Sequence, residues 1–418
     1  MIRITDLSLP LDHSEEDLKL AVLHALKIPA TELIEFSVFK RSYDARKKTS
    51  IILIYTIDVS VKNETSVWKT VGQLPKISKT PDTNYHFVSR ATPGKFERPV
   101  IIGFGPCGLF AAFILAEMGY CPIVLERGKP VRERTKDTWG LWRKRELNPD
   151  SNVQFGEGGA GTFSDGKLYS QVKDPKHYGR KVLTEFVAAG APEEILYVSK
   201  PHIGTFRLVK MIEQMRHRIE ELGGEIRFQQ RVESLEIQDG RIKGIHINNG
   251  EYLPASHVVL AIGHSARDTF QMLYEKGVYV EAKPFSVGFR IEHPQSIIDQ
   301  ARFGPNAGNK ILGAADYKLV HHASNGRSVY SFCMCPGGTV VAATSEPNRV
   351  VTNGMSQYSR NERNANSAIV VGISPADYPS HPLAGIDFQR ELESRAFELG
   401  GHNYSAPGQL IGDFLNGK

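Results

Sequence analysis

A three-layer α/β fold is predicted for this 418-residue sequence, with a central parallel sheet, an added β-meander and a small α+β unit at its N-terminal side. Three observations predict it. A short apolar strand runs directly into three spaced glycines and an Ala-rich helix over 100–118. An amphipathic pattern over 206–222 stops at Gly223-Gly224 and leads into a further strand, EIRFQ. Three short strands then follow, VESLEIQ, RIKGIHI and EYLPASHVVLA, joined by Asp239-Gly240 and Asn249-Gly250, dipeptides that accept the positive φ of hairpin turns.

The N-terminal unit, placed at 1–90, comes first. Ser14 reads as an N-cap with Asp17 three positions on, and Leu18, Ala21, Val22, Ala25 and Leu26 recur at helical spacing until Pro29. Strand-like IRITDL precedes this helix; LIEFSVF and TSIILIYTIDVSV follow it. Their connection, KRSYDARKKT, gathers Lys40, Arg41, Arg46, Lys47 and Lys48 around Tyr43. It reads as a solvated loop, with a docking surface for an acidic partner or RNA as the alternative. SRATPGKFERP, with two prolines and a glycine, reads as the linker into a main domain at 96–267. A mixed α+β substrate or cap region is placed at 268–418.

Composition bounds the function classes. Apolar residues make up 41%, which excludes wholesale disorder, and the net charge of +5 is spread without a single-sign block, so nucleic acid is not an expected partner. No apolar run approaches the roughly 20 residues of a membrane span, and MIRITDLSLPLDHSEED lacks a signal-peptide pattern, so a cytoplasmic protein with no membrane contact is expected. Cys107, Cys121, Cys333 and Cys335 are too few for a disulfide framework.

Gly103, Gly105 and Gly108 stand where a strand turns into a helix, followed by a second strand, PIVLE. This order is the Rossmann-type fingerprint: a tight turn at Gly103, close backbone approach to a pyrophosphate at Gly105, and close helix packing at Gly108. Pro106 and Cys107 complete the loop, and the helix N-terminus would stabilise the phosphates. Glu126, eighteen positions past Gly108, falls at the end of the second strand, where a carboxylate accepts from ribose hydroxyls and disfavours a 2′-phosphate. SNVQFGEGGAGTFSDGKLYSQ holds Gly156, Gly158, Gly159, Gly161 and Gly166 with Thr162, Ser164 and Lys167. It reads either as a backbone-donating loop along a pyrophosphate and flavin ring, or as a surface loop.

The strands after 232 end in ASHVVLAIGHSARD, a buried strand whose Ala261-Ile262-Gly263 resembles the alanine-glycine motif of glutathione-reductase-type FAD proteins. By that resemblance, Val232 presents its backbone to the adenine, Arg127 lies beside the adenosine, and Ala261 and Gly263 border the cofactor. The whole chain resembles the FAD-dependent proteins labelled NAD(FAD)-utilizing dehydrogenases, on ERGKPVRERTKDTW, LNPDSNVQFGEGGAGTFSDGKL, KPHIGT, LAIGHSARDTF, KPFSVGFRIEHPQ, YSFCMCPGGTVVAATSE, NGMSQYSRNERNANSAIVV and PLAGIDFQRELE. The resemblance implies an FAD-dependent oxidoreductase of unassigned small-molecule substrate, passing hydride through flavin N5; the electron donor stays open, since no second GxGxxG marks a nicotinamide domain, with transient NAD(P)H as one candidate. It also implies a final strand, a Gly-Asp or Gly-Glu turn and a Gly-rich helix. IGDFLNGK has neither the strand before nor the helix after Gly412-Asp413, so the C-terminal flavin-binding segment is expected to be lacking. A flavin-retaining binding protein or incomplete family member, and a flavin-dependent RNA-modifying enzyme, are the alternatives.

Cys333 and Cys335 alternate on a predicted strand and would share one face, as packed thiols first, a redox or metal pair second. His264, Arg290 and His293 are candidate acid/base or anion-binding groups, each also read as structural. Cys107 is read as small-residue packing in the phosphate loop, with a helix-activated thiol as the alternative.

Overall fold

A computed structural model describes every residue except Pro93 and Gln171. The chain divides into two compact units: 1–86 with 167–203 and 294–316, and 87–166 with 204–293 and 317–418. These are drawn differently from the three sequence segments. The linker 89–99 opens the second unit; its Pro93 lies outside the described residues, as does Gln171 at the end of the glycine-rich stretch.

The first unit is built on β1 (Ile2–Pro10), α1 (Glu15–Leu26), β2 (Leu33–Asp44), β3 (Ile52–Val61), α2 (Glu64–Val71) and β4 (Ile77–Lys79), in an antiparallel sheet of order β2-β3-β1-β4. Ser14 caps α1 as predicted: its side chain accepts from Asp17 N at 3.1 Å, and Asp17 Oδ2 accepts from Ser14 N at 2.9 Å. The expected loop at 40–49 is shorter, because β2 stays paired with β3 through Asp44 and Ile52. Tyr43 holds the strand in place: it packs on the core, edge to face with Phe303 at 5.7 Å. Phe303, Leu312 and Ala315 join Ile2, Ile4, Val22, Leu26, Ile57 and Val59 in one buried cluster, which is why the later segment belongs to this unit. A unit this small gains from every added buried side chain. Within the cluster's sheet, Arg3 grips Asp58 with two 2.7 Å bonds and lies 3.7 Å over the Phe39 ring.

The second unit holds the parallel sheet. β5 (Val100–Ile102), α3 (Pro106–Glu117), β6 (Ile123–Leu125), α4 (Val131–Lys144), α5 (Thr205–Glu221), β7 (Glu225–Arg227), β8 (Val232–Gln238), β9 (Arg241–Ile247), β10 (Tyr252–Pro254), β11 (Val258–Leu260) and α6 (Arg267–Glu275) follow in order. The sheet order is β11-β5-β6-β7, all parallel. Every residue of β5 and β6 is buried, since both faces are covered. Val100, Ile102, Ile123 and Leu125 pack on the meander β10-β9-β8 through Val232, Leu235, Ile245 and Ile247. Helices α3 and α5 pack on each other and on the sheet, α5 by Leu208, Met211, Ile212, Met215 and Ile219 at helical spacing. The predicted three layers are therefore present. Asp239 and Gly240 both take positive φ, 51° and 71°, in the β8–β9 turn.

One expectation is corrected here. EYLPASHVVLA is two strands: β10 closes the meander, and β11 returns to the sheet edge, where Leu260 is 42% exposed and not buried. An edge strand covered on only part of its surface needs no continuous burial.

After α6 come β12 (Phe285–Pro294), β13 (Val320–His322), β14 (Ser328–Cys335), β15 (Gly338–Ala342), β16 (Thr352–Ser356), β17 (Asn364–Ile373) and α7 (Ala384–Leu399). They form a sheet of order β12-β17-β14-β13 and a β15-β16 pair. Gly412 and Asp413 lie inside a short helix, Ile411–Leu415, not in a strand-to-helix turn. Among the described residues, no helix is long and apolar enough to cross a membrane.

Candidate functional site

At the carboxyl end of β5 the chain must turn sharply into α3, and glycine makes the turn. Gly103 has φ of +97°, and a Cβ there would lie 2.5 Å from Ala261 O. A Cβ on Gly108 would lie 1.9 Å from Gly103 O, so α3 seats on the turn only with glycine. Gly105 is the N-cap, makes no side-chain capping bond, and is followed by Pro106 at the first helical position. The first turn carries no acidic residue. The first helical bond runs from Leu109 N to Gly105 O at 2.9 Å. The Cys107 and Gly108 N–H groups therefore have no partner among the described residues. Cys107 is exposed, which corrects the expectation of a packed thiol, because it sits on the open first turn.

Glu126 was expected to face a ribose; its carboxylate is held by backbone donors. It is 4% exposed; Oε2 accepts from Phe104 N at 2.7 Å, and Oε1 accepts from Gly128 N at 2.8 Å and Gly156 N at 3.0 Å. One side chain thus ties the phosphate loop, the end of β6 and the glycine-rich loop. An ionised carboxylate offers about four acceptor positions, so one remains on Oε2.

The glycine-rich loop packs on the phosphate loop. Gly158 N donates to Phe104 O at 2.9 Å, and a Cβ on Gly159 would lie 2.8 Å from the Gly105 Cα. At Gly158 a Cβ would meet Ile212 Cδ1 and Thr162 Oγ1, both at 2.4 Å, so the protein's own packing demands that glycine. Thr162 is buried and accepts from Arg134 Nη1 at 3.3 Å. Lys167 belongs to the other unit, where it pairs with His202 in an isolated bridge.

Sequence reasoning missed Arg134, which holds this loop. It is fully buried, and its fork donates to Asn152 O (2.7 Å), Glu157 O (2.6 Å), Val153 O (2.8 Å) and Gly159 O (2.9 Å), with Phe163 5.0 Å from the guanidinium carbon. Burial draws its pKa down to about 10, against the nearby charges of Glu126 and Glu157, so it remains a cation at neutral pH. A peptide's N–H points opposite to its C=O, so the Gly159 carbonyl on Arg134 turns the Ala160 N–H away from it. The available signal was the buried stripe Val131, Arg134, Thr138 and Leu141 at helical spacing on α4, with arginine at a core position. Glu157, also buried, accepts from Val131 N at 2.7 Å and pairs with Arg216 at 2.9 Å; burial pushes its carboxyl up.

Beyond the loop, Arg127 donates to both Asp268 oxygens at 2.8 Å and lies 4.4 Å over the Phe155 ring. Asp268 also lines a cavity of about 370 Å³ with Arg231, Val232, Glu233, Thr269 and Met272. Arg127 and Val232, paired in the sequence reading, are thus brought to one cavity through Asp268. Ala261 donates its N–H to Ile102 O at 2.8 Å under the Gly103 turn, and Gly263 takes φ of +70° with open space around it.

The uncapped α3 N-terminus, the open Gly105 approach, the residual Glu126 acceptor and the cavity at Val232 fit an adenine dinucleotide. Gly103, Gly105, Cys107, Gly108, Glu126, Arg127 and Val232 would hold it.

The remaining candidates lie elsewhere in this unit. His264 is exposed, with Nε2 3.3 Å from Ser265 Oγ. His293 Nε2 meets the Tyr317 hydroxyl at 2.9 Å on β12. Cys333 and Cys335 are both thiols but do not share a face, because a bulge between Phe332 and Cys335 puts Cys333 at φ of 44° and buries Cys335 alone.

Arg267, at the start of α6, binds Glu346 (2.6 Å) and Glu393 (2.6 and 2.9 Å), and Arg390 binds Glu346 at 2.7 Å. Burial pushes the Glu346 carboxyl up, but hydrogen bonds from Arg390 and Arg267, with their charges, outweigh it and hold the pKa at about 2. Unfolded, the group titrates near about 4.3. The folded value is the lower one, so the stabilisation is complete above about pH 5 and is lost as pH falls toward 2. After solvent screening it amounts to about 1–2 kcal/mol. We expect Glu346→Gln to flatten the acid side of the profile of melting temperature against pH; a variant profile parallel to wild type would contradict this.

Comparison with known proteins places the chain. Residues 284–418 match the family model "FAD-dependent protein, C-terminal domain-like", and residues 1–60 match a domain of unknown function, DUF8436. An uncharacterized protein of Clostridium beijerinckii is 45% identical over 416 residues, 99% of this chain and 77% of the relative. Among solved structures, THI4 of Thermovibrio ammonificans is 20% identical (TM-score 0.30), matching 44% of this chain and 66% of its own. L-amino acid deaminase from Proteus vulgaris is 14% identical (TM-score 0.27; 59% and 63%). A halogenase PltM mutant in complex with FAD is 13% identical (TM-score 0.32; 71% and 55%). The chain spans less than two thirds of each of these three solved chains. Near-complete coverage of this chain at 45% identity, together with the C-terminal match, establishes that it belongs to the family of FAD-dependent proteins.

Proposed function

We propose that this protein binds FAD with the pyrophosphate at the N-terminus of α3 and acts as an oxidoreductase on a small-molecule substrate. The observation that carries the reading is the α3 terminus itself: two N–H groups without partners among the described residues, no acidic residue in the first turn, and glycines that leave the approach open. The free N–H groups of Cys107 and Gly108 bind the phosphates, and the buried Arg134 holds the neighbouring glycine-rich loop through Gly159 O. Glu126 accepts one ribose hydroxyl on Oε2, and its negative charge turns away a 2′-phosphate. Val232 and Asp268 line the place for the adenosine. FAD, when bound, supplies a hydride acceptor and donor at its flavin N5. The chain's own part is to orient that ring and to spread phosphate charge over backbone donors.

The test is purification of the full chain with excess FAD. We expect stoichiometric flavin, a visible flavin absorption band, and bleaching by NADH or NADPH as electron donor. A folded preparation that retains no FAD overturns the reading. Glu126→Gln places an amide NH₂ against backbone donors and removes the last acceptor, so it should weaken FAD binding by about 100-fold. Wild-type affinity in that variant, measured by flavin fluorescence titration, would refute the role given to Glu126.

A further inference from the structure

We propose that Arg290 and Asn366 form a binding site for a small carboxylate anion, a site that does not rest on the dinucleotide reading. Arg290 lies on β12 and Asn366 on the neighbouring β17. Asn366 is also the register partner of Cys335 on β14, beside the bulge that turns the Cys333 carbonyl toward Arg290.

The guanidinium is anchored along one edge only. Nε and Nη2 donate to Asn366 Oδ1 at 2.9 and 2.6 Å, and Nη2 donates to Cys333 O at 2.8 Å, with Cys335 Sγ at 3.8 Å. Nη1 donates to nothing among the described residues, and no carboxylate lies within ion-pair distance of Arg290. Every acceptor on this cation is therefore neutral. A half-buried arginine held rigid by neutral groups keeps its whole charge for something else.

Asn366 supplies the second observation. It is fully buried, and its Nδ2 has no hydrogen-bond partner among the described residues. The amide cannot be reversed, because that would press Nδ2 against the guanidinium donors. A buried N–H donor without an acceptor is costly, so an acceptor belongs there. Gly354 of β16 closes the opposite side: a Cβ on it would lie 2.3 Å from Arg290 Nη2, 2.4 Å from Asn366 Oδ1 and 2.7 Å from Cys335 Sγ.

One positive charge, the two N–H groups of Nη1 and the Nδ2 donor match a ligand with one negative charge and two acceptor oxygens. A carboxylate has both. A phosphate dianion would leave a negative charge unbalanced, since among the described residues no second cation contacts Arg290 or Asn366.

The test is a ligand-observed NMR titration of the full chain with acetate and with benzoate, with inorganic phosphate as competitor, run with and without added FAD so that failure of flavin uptake does not register as failure here. Asn366→Asp keeps the oxygen that Arg290 holds, removes the unpartnered donor and supplies a counter-charge, so the fold is kept and the site is satisfied from within. We expect saturable binding of both carboxylates to wild type, at least about tenfold weaker binding in Asn366→Asp, and a melting temperature in that variant no lower than wild type. Arg290→Lys, which keeps the charge but loses the fork, should also bind at least about tenfold more weakly. Absence of saturable carboxylate binding, equal affinity in either variant, or stronger binding of phosphate than of acetate overturns the proposal.

Discussion

Gly108→Val is expected to abolish FAD binding, whereas Gly105→Ala is expected to fold normally and still lose most of its affinity. The two glycines are required for different reasons, and the pair separates them. At Gly108 the first atom of any side chain would sit 1.9 Å from Gly103 O and 3.3 Å from Ala261 Cβ, so α3 must move away from the turn. Overpacking of this severity costs several kcal/mol, which is about a thousandfold or more in an equilibrium constant. At Gly105 the added Cβ would meet only Gly159 Cα at 3.6 Å, an ordinary contact. The protein alone therefore tolerates alanine there. A ligand phosphate drawn to the Cys107 and Gly108 N–H groups would not, because the methyl group takes its path; a loss of about 10- to 100-fold is expected. Gly412→Ala, with nothing within 4 Å, serves as the control. Circular dichroism reports the fold and fluorescence titration the affinity. Unchanged FAD affinity in Gly105→Ala would show that no phosphate approaches this turn.

The glycine turn at 103–108 was legible in sequence because its information is conformational. Glycines at 103, 105 and 108 record a positive φ, an open approach and a close packing, and each is a property of a single residue's backbone. The same holds for Ser14 with Asp17, and for Asp239-Gly240, whose left-handed pair closes the β8–β9 turn. Partnerships were not legible. Glu126 was found by its place at a strand end, yet two of its three N–H donors come from Phe104 and Gly156, which only the fold brings to it. The grouping of 294–316 with the N-terminal unit rests on Phe303, Leu312 and Ala315 reaching a core nearly 300 residues away in sequence, which no periodicity announces. Strand alternation placed both thiols of the CMC motif on one face, but a bulge, a one-residue event, redirected them.

The largest loss of stability should come from Arg134, a residue absent from the predicted site although it holds two members of it, Gly159 and Thr162. Its guanidinium is the centre of the loop 152–163: four backbone carbonyls from 152 to 159 converge on it at 2.6 to 2.9 Å, and a Cβ on Gly156 would already meet its Cδ at 2.4 Å. Replacement by methionine keeps most of the stem volume and deletes every donor, leaving those carbonyls buried without partners. Several carbonyls will turn outward to find water, so the cost falls short of their simple sum; about 3–5 kcal/mol is expected. For a unit of this size that lowers the melting temperature by on the order of 10 °C. Lysine would retain the charge with three donors and no planar fork, and should recover only part of the loss. The functional consequence follows from the same geometry. If the inner carbonyls no longer face a cation, the loop no longer holds Gly156 N on Glu126 and Gly158 N on Phe104 O, and the two loops at the head of α3 part. Protease cleavage within 152–163 should then become faster in Arg134→Met while the first unit stays resistant, and FAD should dissociate more quickly. A variant within about 2 °C of wild type, with the loop still protected, would mean that the glycine-rich loop holds its shape without its arginine.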